Sequence, residues 1–201
     1  MGTNNLRGAL WISDYFPRPH DMTTGTWALE SVVALRKEGL QTSVLAPTPW
    51  IPRIPGLPAT FRGWSKVPKE HEINHVPVYY SRCPHYPQRW INNVLYTKVP
   101  FLDTEFLWPW CKRTADEIMK RHPFDVAHAN FLVPSGYIGM KLKERFGTSL
   151  VVHERSVQRL GLARDNSRRR SVYRKILRAA DLVITENMSM ASELRKMEPG
   201  I

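Results

Sequence analysis

The fold of this chain is decided by residues 7–47, which read RGALWISDYFPRPHDMTTGTWALESVVALRKEGLQTSVLAP. Two apolar segments in this stretch, residues 9–13 and 42–46, predict strands with little polar alternation. We therefore expect both faces of each strand to be covered, as in a parallel sheet. Between them, apolar residues at helical spacing predict a helix over residues 26–38. Strand, helix and strand in this order form a βαβ unit, whose crossover is expected to be right-handed.

The loop between the first strand and the helix, residues 14–25, is the first place where a ligand is expected. Ligands bind beyond the carboxyl ends of the strands in such sheets, and this loop leads from one of those ends to a helix N-terminus. Gly25 can bring a phosphate close to free N–H groups there, or it can be a plain turn residue, and the two interpretations are equally favoured. The chain has neither a GxGxxG after the strand nor a GxxxxGK[ST] anywhere, which argues against a dinucleotide or P-loop site.

The second half of the chain alternates regularly. It predicts, in order, strand 125–130, helix 135–146, strand 150–153, helix 167–180, strand 182–185 and helix 188–197. A further strand is predicted at residues 76–80, near the sheet edge, because Pro77 is tolerated there. A further helix, with an apolar stripe that starts at Cys111, is predicted to end at His122. Six strands and at least five helices predict one α/β domain over residues 1–201, with a doubly wound, mostly parallel, Rossmann-like sheet.

Two segments depart from this alternation. The region near residues 47–72 is rich in proline and tryptophan, and is predicted to be an extended surface loop with no secondary structure of its own. Residues 86–111 are rich in aromatic side chains, and burial in the core is the favoured interpretation for them. The alternative is a surface for a lipid-linked or membrane-bound partner. These aromatic residues are Trp90, Tyr96, Phe101, Phe106, Trp108 and Trp110.

The composition, 42% hydrophobic and 23% charged over 201 residues, is typical of a globular protein. No apolar run is long enough for a membrane span and no signal segment is present, so a cytoplasmic location is expected. Cys83 and Cys111 lack metal-site spacing, which predicts two reduced thiols. His71 and His75 lie in a predicted loop and strand entry, so no metal site is predicted. The net charge of +11 indicates an anionic partner: phosphate, a nucleotide, an anionic membrane face or nucleic acid.

Polar residues stand at the carboxyl ends of two neighbouring predicted strands. His153 ends one strand and is followed by Glu154 and Arg155, whereas His128 and Asn130 end the other. Ligands bind at such ends, where a histidine can hydrogen-bond a hydroxyl or phosphate, or move a proton. A structural role, in which the histidines cap backbone groups, is an equal alternative.

Nine basic residues are concentrated between positions 155 and 178. On the predicted helix they lie opposite a buried apolar stripe, which is typical of a solvated helix face and is the favoured interpretation. The alternative is a patch that binds phosphate or an anionic membrane surface, because the density of arginine exceeds what solubility needs. The nine are Arg155, Arg159, Arg164, Arg168, Arg169, Arg170, Arg174, Lys175 and Arg178.

Three pieces of the sequence carry a resemblance. They are the opening strand, loop and helix, which lead to VLAP at 44–47, the segment FDVAHA at 124–129, and AADLVIT at 179–185. Together they resemble family-4 glycosyltransferases of the GT-B fold, which have two Rossmann-like domains facing across a cleft. The resemblance implies that this chain is the N-terminal, acceptor-binding domain. It also implies a fragment or single-domain product in which the C-terminal domain, with its nucleotide-sugar site, is absent.

The resemblance also implies site residues. Gly25 matches the family's loop glycine, which approaches the donor phosphate. His153 matches the histidine that lies beside the transferred sugar, and is the implied catalytic residue. The family often has paired glycines in the loop and a small residue after the histidine, whereas here Thr24 precedes a single glycine and Glu154 follows the histidine. The loop, the strand ends and the resemblance together predict the substrate- and donor-phosphate-binding residues, which are Asp14, Thr24, Gly25, His128, Asn130, Glu154 and Arg155.

The implied chemistry is transfer of a sugar from a nucleotide-sugar donor to an acceptor hydroxyl with retained configuration, in glycan, glycolipid or cell-envelope polysaccharide synthesis. Helix N-termini and cations stabilise the leaving diphosphate in this fold, so neither a metal nor another cofactor is expected. The implied partners are the donor and a sugar or lipid-linked acceptor, with peripheral contact to the anionic inner face of the membrane. The domain alone is expected to be inactive.

A competing interpretation is a non-catalytic α/β module that binds phosphate, nucleic acid or an anionic membrane surface through its basic face. The sequence favours the transferase domain, because the basic helix lacks interleaved aromatic residues and no nucleic-acid-binding motif is present. Nucleic acid is therefore not an expected partner.

Overall fold

The computed structural model of the chain describes residues 6–84, 100–164 and 166–201. Its strands are β1 Ala9–Ile12, β2 Thr42–Pro49, β3 Glu70–Ile73, β4 Val76–Cys83, β5 Val126–Asn130, β6 Ser149–Glu154 and β7 Leu182–Thr185. They form one sheet in the order β3-β4-β2-β1-β5-β6-β7. All neighbouring strands are parallel except β3 and β4, which pair antiparallel at one edge.

Seven α-helices of the described chain connect and cover these strands. They are α1 Thr26–Lys37, α2 Ala59–Ser65, α3 Trp108–Arg121, α4 Tyr137–Phe146, α5 Val157–Arg164, α6 Ser167–Ala179 and α7 Met188–Met197. The strand order reverses beside β1, with β2 and β4 on one side and β5, β6 and β7 on the other. The sheet is therefore doubly wound, with its switch point between β1 and β5. The predicted α/β fold with a mostly parallel, Rossmann-like sheet is confirmed.

Successive residues of the central strands pack into two different cores, which is why these strands show no polar alternation. In β1, Leu10 and Ile12 belong to a core built with α3, α4 and α6. Trp11 belongs to a second core on the other face of the sheet, built with α1. We call the face that carries Trp11 the α1 side. Coverage on both faces is what a parallel sheet requires.

The prediction that the region near 47–72 has no secondary structure is wrong. The region contains α2, the end of β2 and the start of β3. β3 is a seventh strand, in addition to the six that the sequence predicts. The helix α2 is held against the first loop by tertiary contacts: the guanidinium of Arg18 lies 4.8 Å over the ring of Trp64, and His20 packs edge-on against that ring. The position of α2 therefore depends on contacts with a loop that is distant in the sequence, and a local sequence pattern does not show such contacts. The helix α5 was also not predicted.

The aromatic-rich segment is described only in part. Residues 85–99, with Trp90 and Tyr96, lie outside the described residues. Trp108 is partly buried against the larger core, whereas Phe106 and Trp110 are 36% and 47% exposed. Among the aromatic side chains that can be described here, the favoured core interpretation therefore holds for Trp108 and not for the other two.

Candidate functional site

The carboxyl ends of β1, β5 and β6 meet at the switch point of the sheet. Trp11 of β1 is in register with His128 of β5, and the two rings are stacked, with centroids 3.9 Å apart. Asn130 of β5 is in register with His153 of β6. The rings of His128 and His153 lie edge to face, with centroids 5.9 Å apart. The structure therefore brings both predicted histidines together on the α1 side.

Arg155, Glu186 and Trp27 complete this group. Arg155 Nε donates a hydrogen bond to His153 Nε2 over 3.3 Å, and Glu186 Oε1 lies 2.6 Å from Arg155 Nε. The guanidinium of Arg155 stands 4.4 Å over the ring of Trp27, the second residue of α1. No side chain caps the N-terminus of this helix. We refer to Trp27, His128, His153, Arg155 and Glu186 as the strand-end cluster.

Both histidines of the cluster are neutral at physiological pH. Burial lowers the pKa of His128 to about 3, and Coulombic interactions with His153 and Arg155 act in the same direction. Burial also lowers the pKa of His153; Arg155 adds to this shift and Glu186 opposes it. His153 Nε2 lies 3.3 Å from Arg155 Nε and 3.2 Å from Glu186 Oε1, so this nitrogen is engaged within the cluster as an acceptor or as a donor. Nδ1 of His153 can therefore accept or donate one hydrogen bond with a ligand.

Four buried polar atoms on this side of the sheet have no hydrogen-bond partner within the described part of the chain. They are Nε1 of Trp11, Nε2 of His128, and Oδ1 and Nδ2 of Asn130. Asn130 has no exposed surface and shares a face of β5 with His128, because residues two apart on a strand point the same way. Buried polar atoms are normally satisfied, so these four atoms leave hydrogen-bonding capacity unused next to the strand-end cluster.

The first loop is held by its own polar side chains. The carboxylate of Asp21 accepts hydrogen bonds from the hydroxyls and backbone N–H groups of Thr24 and Thr23, which lower its pKa to about 2. Asp14 Oδ2 accepts a hydrogen bond from Arg159 over 2.9 Å. Asp14 thus pairs with Arg159, and Thr24 donates to Asp21. The side chains of these two predicted site residues are not brought to the strand-end cluster.

Gly25 is required by the backbone of this loop. It precedes α1 with φ +78°, a left-handed conformation that favours glycine, and a Cβ at this position would lie 2.4 Å from the carbonyl oxygen of Tyr15. The turn-residue interpretation therefore has a clear physical basis. The same turn sets the uncapped N-terminus of α1 beside Arg155, so the glycine also serves the geometry of the cluster.

Gly25→Ala is expected to lower the free energy of unfolding by about 2 kcal/mol, because an unfavourable φ and a backbone clash combine. The matched control is Gly147→Ala, where φ is +69° but nothing lies within 4 Å of the position that a Cβ would take. This control is expected to lose about 1 kcal/mol. Urea unfolding of both variants measures the difference, and equal losses would show that contact with Tyr15 contributes nothing.

Glu154 lies on the opposite side of β6 from His153. Its carboxylate, which has no exposed surface, accepts hydrogen bonds from the backbone N–H groups of Leu132, Arg155 and Ser156 over 2.8 to 3.0 Å. Burial raises the pKa of Glu154, and these N–H groups oppose that shift. Glu154 therefore fixes the turns that follow β5 and β6 and so positions Arg155, but it is not brought to the strand-end cluster.

The basic run divides into residues with different partners. Arg159 and Arg169 form ion pairs with Asp14 and Asp103, over 2.9 and 3.1 Å, in largely buried positions. Arg155 belongs to the strand-end cluster. The two interpretations of the basic run, a solvated helix face and a patch that binds phosphate or an anionic membrane surface, therefore concern its six exposed members: Arg164, Arg168, Arg170, Arg174, Lys175 and Arg178.

Within the described ranges, no three His, Cys, Asp or Glu side chains are grouped so that they could hold a metal ion. His71 lies in β3 and His75 follows it, and both are exposed. A search of the same residues finds no helix with the length and apolar character needed to cross a membrane.

The sequence matches a known family over most of its length. The family described as "Glycosyl transferase 4-like domain" matches residues 23–199. The chain belongs to this family. The resemblance drawn from the sequence is thereby confirmed, and the chain is a glycosyltransferase-like domain.

Two solved structures of sucrose-phosphate synthase from Thermosynechococcus elongatus are similar to this glycosyltransferase 4-like chain. One is 16% identical with a TM-score of 0.60, and the match covers 94% of this chain and 81% of that one. The other is 15% identical with a TM-score of 0.64, and the match covers 94% of this chain and 44% of that one. At these identities the likeness shows the fold alone. Among curated proteins, no sequence matches the chain.

Two members of the strand-end cluster of this glycosyltransferase 4-like domain were not predicted. Glu186 directly follows β7, so the strand-end rule that selected His153 also selects Glu186 once β7 is placed beside β6. Trp27 gives no such signal, because an aromatic residue in the first turn of a helix is as often buried as it is part of a site.

Proposed function

We propose that this chain is the acceptor-side domain of a retaining glycosyltransferase, which transfers a sugar from a nucleotide-sugar donor to an acceptor hydroxyl. The observation that carries the proposal is the strand-end cluster. Neutral His153 stands there beside Arg155 and the uncapped N-terminus of α1, at the switch point where doubly wound sheets bind ligands. Membership of a glycosyltransferase family makes sugar transfer the chemistry that best fits this site.

Different parts of the cluster suit different parts of a sugar nucleotide. The N-terminus of α1 presents backbone N–H groups and the positive end of the helix dipole to the leaving diphosphate, and Arg155 adds a positioned cation. Nδ1 of His153 can donate to, or accept from, a hydroxyl of the transferred sugar. Since protein groups stabilise the developing charge, the proposal includes neither a metal nor another cofactor.

The proposed acceptor is a sugar or a lipid-linked sugar, used in the synthesis of a glycan, a glycolipid or a cell-envelope polysaccharide. We place the reaction in the cytoplasm, with peripheral contact between the basic residues of α6 and an anionic membrane face. The strand-end cluster would contact the diphosphate and the transferred sugar, and a further domain would supply the remaining contacts to the donor. On this proposal, the 201-residue chain binds ligands but does not transfer sugar alone.

His153→Ala is expected to weaken the binding of a sugar nucleotide about tenfold, which corresponds to the loss of one hydrogen bond to the sugar. Binding of UDP-glucose and GDP-mannose to the 201-residue chain is measured by ligand-observed NMR over a concentration series. The matched control is His71→Ala, which removes an exposed histidine from the far edge of the sheet and is expected to leave binding unchanged.

Three outcomes would count against this proposal. The first is an equal loss of binding in the His71 and His153 variants, and the second is binding that the His153 variant retains in full. The third is the absence of binding to either sugar nucleotide and to a panel of oligosaccharides.

A non-catalytic module is the second candidate function, and one observation favours it. Four exposed cations of α6 line a groove, and a single carboxylate, that of Glu198, pairs with two of them. A module of this kind would bind phosphate or duplex DNA with a steep dependence on salt, and would bind no sugar nucleotide. Titrations with both kinds of ligand at two salt concentrations separate the two candidates.

A further inference from the structure

Six residues of α6 line a surface groove with a volume of about 230 Å³. Four of them are cationic, two are serines and none is acidic. Their spacing of three and four residues places them on one face of the helix, opposite the buried residues Tyr173 and Ile176. The six are Ser167, Arg170, Ser171, Arg174, Lys175 and Arg178. We refer to them as the α6 groove.

The charge pattern of the α6 groove is unfavourable for the helix itself. Arg170, Arg174 and Arg178 follow one another at steps of four residues, and like charges at this spacing repel each other on a helix. A face that served only solubility would gain from acidic residues between them, because opposite charges at the same spacing stabilise a helix. The carboxylate of Glu198 lies against Arg174 and Arg178 and offsets part of this repulsion. The four cations of the groove and this one carboxylate leave an excess of three positive charges, which a bound anion would offset further.

The arginines of the groove are held in position by neighbouring groups. Arg170 donates to carbonyl oxygens at the end of α5, including that of Ala163 over 3.2 Å. The Nε atoms of Arg174 and Arg178 both lie against Oε2 of Glu198, at 3.1 and 3.0 Å. Both contacts are made by Nε, so they do not involve the terminal nitrogens of either guanidinium group. Side chains already fixed in this way lose less entropy when they bind a ligand.

The α6 groove and the strand-end cluster lie on opposite faces of the sheet. Tyr173 and Ile176 of α6 pack in the larger core together with Val152 of β6. His153, the next residue along β6, faces the α1 side. A ligand in the groove is therefore separate from a sugar nucleotide at the strand-end cluster.

We propose that the α6 groove is a binding site for a phosphate group, carried either by a phosphorylated small molecule or by the headgroup of an anionic lipid. Guanidinium groups bind phosphate oxygens in bidentate fashion, Lys175 adds a point charge, and the two serine hydroxyls can donate further hydrogen bonds. When the phosphate belongs to a lipid, this site accounts for the membrane contact proposed above. The site does not depend on glycosyl transfer.

The test compares two double variants that lose the same charge. Arg174→Gln/Lys175→Gln removes two cations of the groove, whereas Lys112→Gln/Lys120→Gln removes two exposed lysines of α3. Binding of pyrophosphate is measured by isothermal titration calorimetry. Binding to vesicles of phosphatidylcholine, alone or mixed with phosphatidic acid, is measured by sedimentation. Thermal unfolding of both variants verifies that the fold is retained.

The groove variant is expected to weaken binding at least tenfold, and the α3 variant is expected to bind like the original chain. Pyrophosphate binding that depends on the groove identifies a soluble phosphoester, whereas groove-dependent binding to the anionic vesicles alone identifies a lipid headgroup. Equal weakening by both variants would overturn the proposal, because net charge alone would then attract the anion. Absence of binding to both probes would overturn it as well. UDP-glucose binding is expected to be unchanged in the groove variant, so failure here is distinguishable from failure of the proposed transferase.

Discussion

Arg159→Met is expected to lower the free energy of unfolding by about 3 kcal/mol, because it leaves a largely buried carboxylate without its cation. Arg159 Nη2 lies 2.9 Å from Asp14 Oδ2, and the two side chains are only 21% and 22% exposed. Arg159 also donates to the carbonyl oxygen of Val133, and its guanidinium stacks 4.2 Å over Phe131. Methionine keeps the apolar stem of the side chain but none of these polar contacts.

The ion pair joins three segments around the proposed site: the first loop, the turn after β5 and α5. Its loss is therefore expected to loosen the loop that sets the N-terminus of α1 beside the strand-end cluster. Urea unfolding measures the stability, and hydrogen exchange of the amides in residues 14–25 measures the loop. In the variant, we expect exchange to speed up more in this loop than in β2, which the ion pair does not contact.

A double-mutant cycle isolates the ion pair from the other contacts of Arg159. Asp14→Asn/Arg159→Met is expected to lose less stability than the sum of the two single variants, because the second change no longer leaves an unpaired charge. Arg113→Met is the matched control, since Arg113 pairs with Glu117 in a solvent-exposed position and its loss is expected to cost less than about 1 kcal/mol. Strict additivity in the cycle would show that the pair itself contributes nothing.

The predictable part of the candidate site follows from one rule. Apolar segments locate the strands of a parallel sheet, and polar residues at their carboxyl ends must then share one edge. The rule selects His128, Asn130 and His153. The structure places Asn130 of β5 in register with His153 of β6, and His128 lies two residues before Asn130 on the same face of β5. Glu186 obeys the same rule but follows β7, and only the sheet order shows that β7 lies beside β6.

The unpredicted part of the site depends on polar pairs between distant positions. Apolar periodicity shows which face of a helix is buried, but it does not show which carboxylate a given arginine meets. Arg159 looked like one more cation of a solvated face, yet its partner Asp14 lies 145 residues away in the chain. Asp14 in turn was assigned to donor binding because of its place in the loop. The helix α2 escaped prediction for the same reason, because its contacts with Arg18 lie outside its own sequence.

Acidification is expected to lower the free energy of unfolding, because His128 takes up a proton only when the chain unfolds. Between pH 7 and pH 4.5 we expect this residue to account for about 3 kcal/mol of the loss, which His128→Phe removes. Burial holds the pKa of His128 at about 3 in the folded chain, whereas an unfolded histidine titrates near about 6.5. Above that value neither state carries the proton, so the histidine has no pH-dependent effect. As the pH falls below it, only the unfolded state gains the proton, and stability declines until the pH reaches the folded pKa.

Phenylalanine retains a ring to stack on Trp11 but cannot titrate, so urea unfolding at the two pH values compares proteins with similar packing. Burial raises the pKa of Asp103 to about 6, so protonation of this residue stabilises the folded protein as the pH falls. This contribution is the same in the original chain and in the His128→Phe variant. His128→Gln serves as a second variant: it loses the stacked ring and is expected to be less stable at pH 7, yet to show the same reduced pH dependence. A steep loss that both variants share with the original chain would mean that His128 accepts its proton in the folded state. The burial that keeps His128 neutral below a pH of about 6.5 would then be absent from the proposed site.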